Sequence, residues 1–170
     1  MADSHELHTH AHDAVPEGSR IVVVAVDGSD HSNYALEFYV DNIWTPQDFV
    51  VLVTVPELDQ SVKSTWNEAL FKFNKDNLAT LMDEQMQKVN KDLHAAREKL
   101  LSCKVKGKAR AIYSGNVGHA ICHAAEVEKA VFIIMGNRGH SMFRRTVTGS
   151  ISNYVINHSK VPVMICRKAQ

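Results

Sequence analysis

The chain has 170 residues, enough for one domain with a full hydrophobic core, and 45% of them are hydrophobic, as in ordinary soluble globular proteins. Nineteen Lys and Arg balance nineteen Asp and Glu, so no broad basic surface is implied and nucleic acid is not expected as a partner. No apolar run reaches the roughly 18 residues of a membrane span, and the first twenty residues lack the apolar core of a signal peptide, so a cytoplasmic protein with no membrane partner is expected.

Residues 1–19 are polar and carry His5, His8, His10 and His12. Alternating histidines could hold nickel or copper, but no apolar pattern anchors the stretch, and it reads as a disordered tail ahead of a domain over residues 20–170. Arg20 to Val26, RIVVVAV, is nearly continuous in apolar residues and reads as a buried strand. It ends in Asp27-Gly28-Ser29. A carboxylate at the C-terminal end of a central strand can reach ligand hydroxyls or an adenine edge; it can equally cap the next turn. A helix from about Ser32 to Ile43 places Ala35, Leu36, Tyr39, Val40 and Ile43 on one face, and Pro46 closes the connection. Asp48 to Val55, DFVVLVTV, is the second strand.

Pro56 to Phe73 is polar and carries Trp66, Phe71 and Phe73, which suits a loop with a short helix. From about Asp76 to Ser102, Leu78, Leu81, Met82, Met86, Val89, Leu93, Ala96 and Leu100 repeat near every 3.6 residues, the stripe of a long core-facing helix. Val105 to Tyr113 is a weaker strand whose Lys106 and Lys108 suit a sheet edge. Ser114-Gly115-Asn116 then turns into a helix with Val117, Ala120, Ile121 and Ala124 on one face. His119 and His123 are spaced as a metal pair, but no third ligand accompanies them, and they read as surface residues. Cys103, Cys122 and Cys166 share no repeated spacing; reduced core thiols are expected rather than a disulfide framework.

Val131 to Ile151, VFIIMGNRGHSMFRRTVTGSI, carries the functional signal. Five apolar residues, Val131 to Met135, form a short run that reads as a second central strand. Gly136, Gly139 and Gly149 follow in the pattern G-x2-G-x9-G-S, completed by Ser150. Ile151, Val155 and Ile156 recur at helical spacing, so a helix begins near Ser150 and runs to about Ser159. Three glycines at fixed spacing are weak evidence alone. A strand, a glycine-punctuated loop and a helix N-terminus in sequence are stronger, because the helix start offers free N–H groups and a positive dipole end to an anion such as phosphate. Arg144 and Arg145 in the loop could screen phosphate charge or simply be solvated. Val161 to Cys166, VPVMIC, is the last strand.

Strands and helices alternate throughout, which demands a parallel α/β sheet with right-handed crossovers. The two most apolar strands belong in its middle. The predicted fold is therefore a single open, doubly wound, Rossmann-like sheet of five parallel strands in the order 3-2-1-4-5, with helices on both faces. Ligands bind such sheets at the strands' C-terminal ends where the winding reverses, and Asp27 and Gly136 both end strands there.

The segments IVVVAVDGSDHSNYAL and VFIIMGNRGHSMFRRTVTGSISNYVINHSKVPVMIC resemble the two halves of the universal stress protein family, in its ATP-binding branch, over roughly Arg20 to Arg167. Asn137, where a small residue is common, and Ala130, in place of a frequent Asp, depart from its pattern. The resemblance implies ATP or AMP as cofactor, with Mg2+ as an optional companion of the phosphates. It implies that Gly136, Gly139, Gly149, Ser150 and Ile151 line the phosphate and ribose side. Ala25, Val26 and Asp27 would lie by the adenosine, and Val55 and Met135 near the base; Arg145 is kept with the nucleotide-binding set. It also implies a homodimer paired through the last strand, and a nucleotide-dependent regulator of the stress response. The chain has no G-x-x-x-x-G-K-[ST], and no evident general base or paired metal carboxylates accompany the glycine motif, which disfavours a strong ATPase. A slow ATP-hydrolysing enzyme and a nucleotide-free dimerising module are the alternatives.

Overall fold

The computed structural model describes residues 6–8, 15–56, 75–137 and 149–168. Among them are six strands and four helices: β1 (Glu6–His8), β2 (Arg20–Ala25), α1 (Asp30–Asn42), β3 (Asp48–Thr54), α2 (Lys75–Ser102), β4 (Gly107–Ile112), α3 (Val117–Val127), β5 (Phe132–Gly136), α4 (Ser150–His158) and β6 (Val163–Cys166). The sheet order is β1-β4-β3-β2-β5-β6. Its five later strands are parallel and reproduce the expected order.

The apolar runs have a direct cause. Along β2, Val22 and Val24 enter one core with α1 and α2, while Val23 and Ala25 enter the other with α3 and α4. Side chains alternate across the pleat, so a strand covered on both faces must be apolar at every position. Val50 and Leu52 against Val51 and Val53 repeat the division in β3. From α1, Ala35, Leu36 and Tyr39 are fully buried. From α2, Val89, Leu93, Ala96 and Leu100 close the same layer.

Several expectations are corrected. Residues 1–19 are not disordered throughout: Glu6–His8 pair antiparallel with Ile112 to Arg110 of β4. Consequently β4 is not the sheet edge that its lysines suggested, because β1 covers it. Lys108 instead reaches Glu128 at 2.8 Å, and Arg110, buried, pairs with the same carboxylate. Three residues of the expected core face outward: Met86 on α2, Val131 just before β5, and Ile156 on α4. Cys122 and Cys166 are buried free thiols whose pKa values burial pushes up, but Cys103 is exposed. Residues 57–74, with Trp66, Phe71 and Phe73, lie outside the described residues, as do His5, His10 and His12.

The two ends of the sheet differ in kind. At the ends where β2 and β3 begin, Asp48 accepts hydrogen bonds from Arg20 (2.6 and 2.8 Å), the Tyr39 hydroxyl (2.8 Å) and both donors of Thr45 (3.1 and 3.0 Å). This network around the buried Asp48 carboxylate is a closed structural joint. The opposite end is open.

Candidate functional site

A cavity of about 320 Å³ lies at the C-terminal ends of β2, β3 and β5. That size suits a small ligand. It sits between β2 and β5, the adjacent strands from which the chain winds outward in opposite directions.

Its walls divide by chemistry. Val53 and Val55 from β3 and its exit, Met135 from β5, and Val117 and Ile121 from the first turns of α3 make an apolar wall. The α3 contribution depends on Gly118. A side-chain carbon there would stand 2.6 Å from the Tyr154 ring, so glycine lets α3 lie against α4 and brings Val117 and Ile121 inward. Facing them are polar groups from three segments: Asp27 and Ser29 after β2, His31 and Ser32 in the first turn of α1, and Ser150 and Ser152 at the start of α4.

The turn after β2 is tightly built. Ser29 caps α1, its hydroxyl oxygen accepting from the Ser32 amide at 3.3 Å. The Asp27 carboxylate accepts from both the Ser29 amide (3.0 Å) and the Ser29 hydroxyl (2.6 Å), and the Asp27 amide donates to the Ser32 hydroxyl at 3.3 Å. Gly28 takes φ +74°, a left-handed conformation that favours glycine. The two readings open for Asp27 from sequence are thus compatible: it holds the turn, though Ser29 is the helix cap, and it also lines the cavity.

Gly136 has a reason that sequence could not show. A side-chain carbon there would meet the His31 carbonyl oxygen at 2.4 Å and the Ser32 nitrogen at 2.9 Å, both backbone atoms that cannot swing aside. Glycine lets β5 end flush against the first turn of α1, which carries His31 and Ser32 to the cavity. The His31 Nδ1 is buried and has no hydrogen-bond partner among the described residues.

At α4 the arrangement is different from that at the other capped starts. Gly149 stands at the N-cap position and provides no side-chain cap, whereas Ser29 caps α1 and Asn116 caps α3. The free N–H groups of the first turn of α4 therefore lack a side-chain acceptor from the cap residue, at the end that lines the cavity. Such a terminus attracts anions through those groups and the helix dipole.

Of the residues singled out from sequence, Ala25, Val26, Asp27, Val55, Met135, Gly136, Gly149, Ser150 and Ile151 all line this one cavity. Gly139, Arg144 and Arg145 lie outside the described residues. Sequence reasoning missed Ser29, His31, Ser32, Val53, Val117, Ile121 and Ser152. The first three were discoverable, because a helix that starts directly after a central strand must present its first turn at the same end. His119 and His123 stack at 6.2 Å between ring centroids on the exposed face of α3, and no group of three or more His, Cys, Asp or Glu that could hold a metal occurs among the described residues.

A doubly wound sheet with a half-apolar, half-polar crevice at its switch point defines a Rossmann-like α/β fold. The chain belongs to the universal stress protein family, whose model matches residues 18–167. An uncharacterised protein of Schizosaccharomyces pombe, C167.05, is 27% identical over 146 residues; the match takes in 85% of this chain but only 23% of that much longer relative. Among solved structures, hypothetical protein MJ0577 superposes with a TM-score of 0.71 at 19% identity, covering 90% of this chain and 99% of that one. At3g01520 of Arabidopsis thaliana, a universal stress protein family protein solved with AMP bound, gives 0.63 at 18% identity, covering 88% and 92%. At these identities the likeness is one of fold.

Proposed function

We propose that this chain binds ATP or AMP in the cavity at the strands' C-terminal ends and acts in the cytoplasm as a nucleotide-dependent regulator of the stress response. The observation that carries the reading is the division of the cavity: an apolar wall on the side of β3 and α3, and an uncapped helix N-terminus on the side of α4. A purine ring fits the first and a phosphate the second. The AMP bound to the Arabidopsis relative supports the same ligand class. Mg2+ belongs to this reading as an optional companion of the phosphates. Mass spectrometry of the ligand retained by gently purified protein, followed by calorimetry with ATP, AMP and adenosine, tests the proposal. Retention of no adenine nucleotide, together with no measurable binding of any of the three, would overturn it. Phosphate release at many turnovers per minute would assign an enzyme instead.

Asp27 serves the nucleoside end in this reading. Asp27→Ala is expected to weaken adenosine and ATP by similar factors, since both share that end. Asp27→Asn keeps an acceptor for Ser29 and separates the ligand contact from the turn. Calorimetry that finds the loss for ATP alone would move Asp27 to the phosphate side.

The proposal also includes a homodimer through β6. This strand ends the sheet, and Met164 on it and Ile156 on the neighbouring α4 are exposed apolar residues. An apolar edge strand is a pairing liability unless covered, and pairing two copies across a two-fold axis covers it. Met164→Lys is expected to shift the protein toward monomer in light scattering at micromolar concentration. A monomeric wild type under those conditions would sink the idea.

A further inference from the structure

Asn137 stands at the junction of three elements. Its backbone amide donates to the Cys166 carbonyl at 3.0 Å, fixing it to the end of β6. Its side-chain oxygen accepts the Gly149 amide at 3.3 Å, across a separation of 12 positions that spans the whole glycine loop. The donor on Gly149 requires the oxygen, not the nitrogen, of the carboxamide to face it. A second contact joins the same elements, from the Ser152 hydroxyl to the Gly136 carbonyl at 3.5 Å. Gly149 has no side chain with which to cap α4, and Asn137, directly after β5, takes the amide of Gly149 itself rather than the N–H groups of the following turn that a cap side chain would take.

We infer that Asn137 is a positioning residue for the bound anion, a neutral clasp that sets the N-terminus of α4 against the end of β5. The inference rests on the proposed nucleotide reading and deepens it. By taking the Gly149 amide, the carboxamide fixes the direction of the helix start and leaves the following N–H groups for phosphate. Its neutrality is the essential property. A carboxylate in its place would accept the same amide more strongly, being charged and at the positive end of a helix dipole. The clasp would therefore survive, or tighten. The phosphate would then meet a like charge at the same helix terminus, in a partly buried site where screening is weak.

Substitution of charge without loss of the clasp separates positioning from plain structure. Calorimetry with ATP, AMP and adenosine on the wild type, Asn137→Asp and Asn137→Ala, alongside thermal melts, reads out the difference. Asn137→Asp is expected to melt at or above the wild-type temperature yet lose ATP by about tenfold or more, with adenosine changed less than about twofold. Added salt should recover part of the ATP loss. Asn137→Ala should lose ATP more than adenosine through a loosened helix start, without the salt dependence. An Asp variant that melts normally and binds ATP as the wild type does would overturn the inference while leaving the nucleotide reading intact. A wild type that binds no nucleotide would overturn both. Should Asn137→Asp melt well below the wild type, Asn137→Ala decides: selective loss of ATP supports the clasp, and unchanged ATP affinity overturns it.

Discussion

Gly149→Val is expected to abolish most ATP affinity while leaving adenosine binding and the fold nearly unchanged. Gly149 adopts φ −55° and ψ 155°, a conformation open to any residue, so backbone freedom is not why glycine stands there. What glycine provides is the absence of a side chain where the cavity meets the start of α4. A branched side chain at that point narrows the approach to the N–H groups of the first turn. Its own backbone amide, held by Asn137, can stay in place. Ser150→Ala is the milder companion. Ser150 is an exposed residue lining the cavity, and in the proposed reading its hydroxyl donates to a phosphate oxygen. A hydrogen bond to a charged group contributes about 1.5–3 kcal/mol, roughly 10- to 100-fold in affinity. Ser150→Ala should lose ATP by that factor, and Gly149→Val by at least as much. Adenosine has no phosphate to place there and should bind almost as before. Equal losses for both ligands, with circular dichroism showing an intact fold, would mean that this end of the cavity does not hold phosphate.

What was legible in the sequence follows from what each element depends on. Buried parallel strands are apolar on both faces, so RIVVVA, FVVLV and FIIM announced themselves, and with them the strand order and the cavity's position. The end of a strand is likewise readable, which is why Asp27 and Gly136 were found. Edges are harder. β1 is held by backbone pairing to β4, and backbone hydrogen bonds leave no mark on the residues that make them, so Glu6–His8 looked like any polar tail. Periodicity also overreaches at element boundaries: Val131 and Ile156 fit the apolar pattern, yet the strand begins one residue after Val131 and the core face of α4 ends with Val155. The sequence places Gly136 at a strand end, but its close approach to the His31 carbonyl is a tertiary fact that no local pattern carries. The cavity's α3 wall, Val117 and Ile121, is legible from sequence only as part of one apolar helix face, because how closely α3 leans over the ends of β2 and β5 depends on its contact with α4 at Gly118.

The second large effect lies at the far end of the sheet. Asp48→Ala should destabilise the fold by about 3 kcal/mol or more at neutral pH, near the lower end of what breaking a buried ion pair costs. The lower end applies because the Arg20 side chain is 38% exposed and can turn to water, whereas the Asp48 side chain is 0% exposed. The fully buried Tyr39 hydroxyl, which donates to Asp48, would lose its acceptor and cannot reach solvent. Burial alone would raise the Asp48 carboxyl pKa, but hydrogen bonds from Arg20, Tyr39 and Thr45 together outweigh it and hold the group below the usual carboxylate range. A carboxyl with a depressed folded-state pKa contributes stability that is fully present above the unfolded value, about 3.9, and is lost as pH falls through the folded value. Wild-type stability should therefore fall with acidification below about pH 4, and Asp48→Ala should show a flatter profile over the same window. Tyr39→Phe, which removes one donor and leaves the Arg20 pair, should cost about 1 kcal/mol. Urea denaturation across pH measures all three proteins. A loss under about 1 kcal/mol for Asp48→Ala, or an unchanged acid profile, would show that the joint between β2, β3 and α1 is held by packing rather than by this carboxylate.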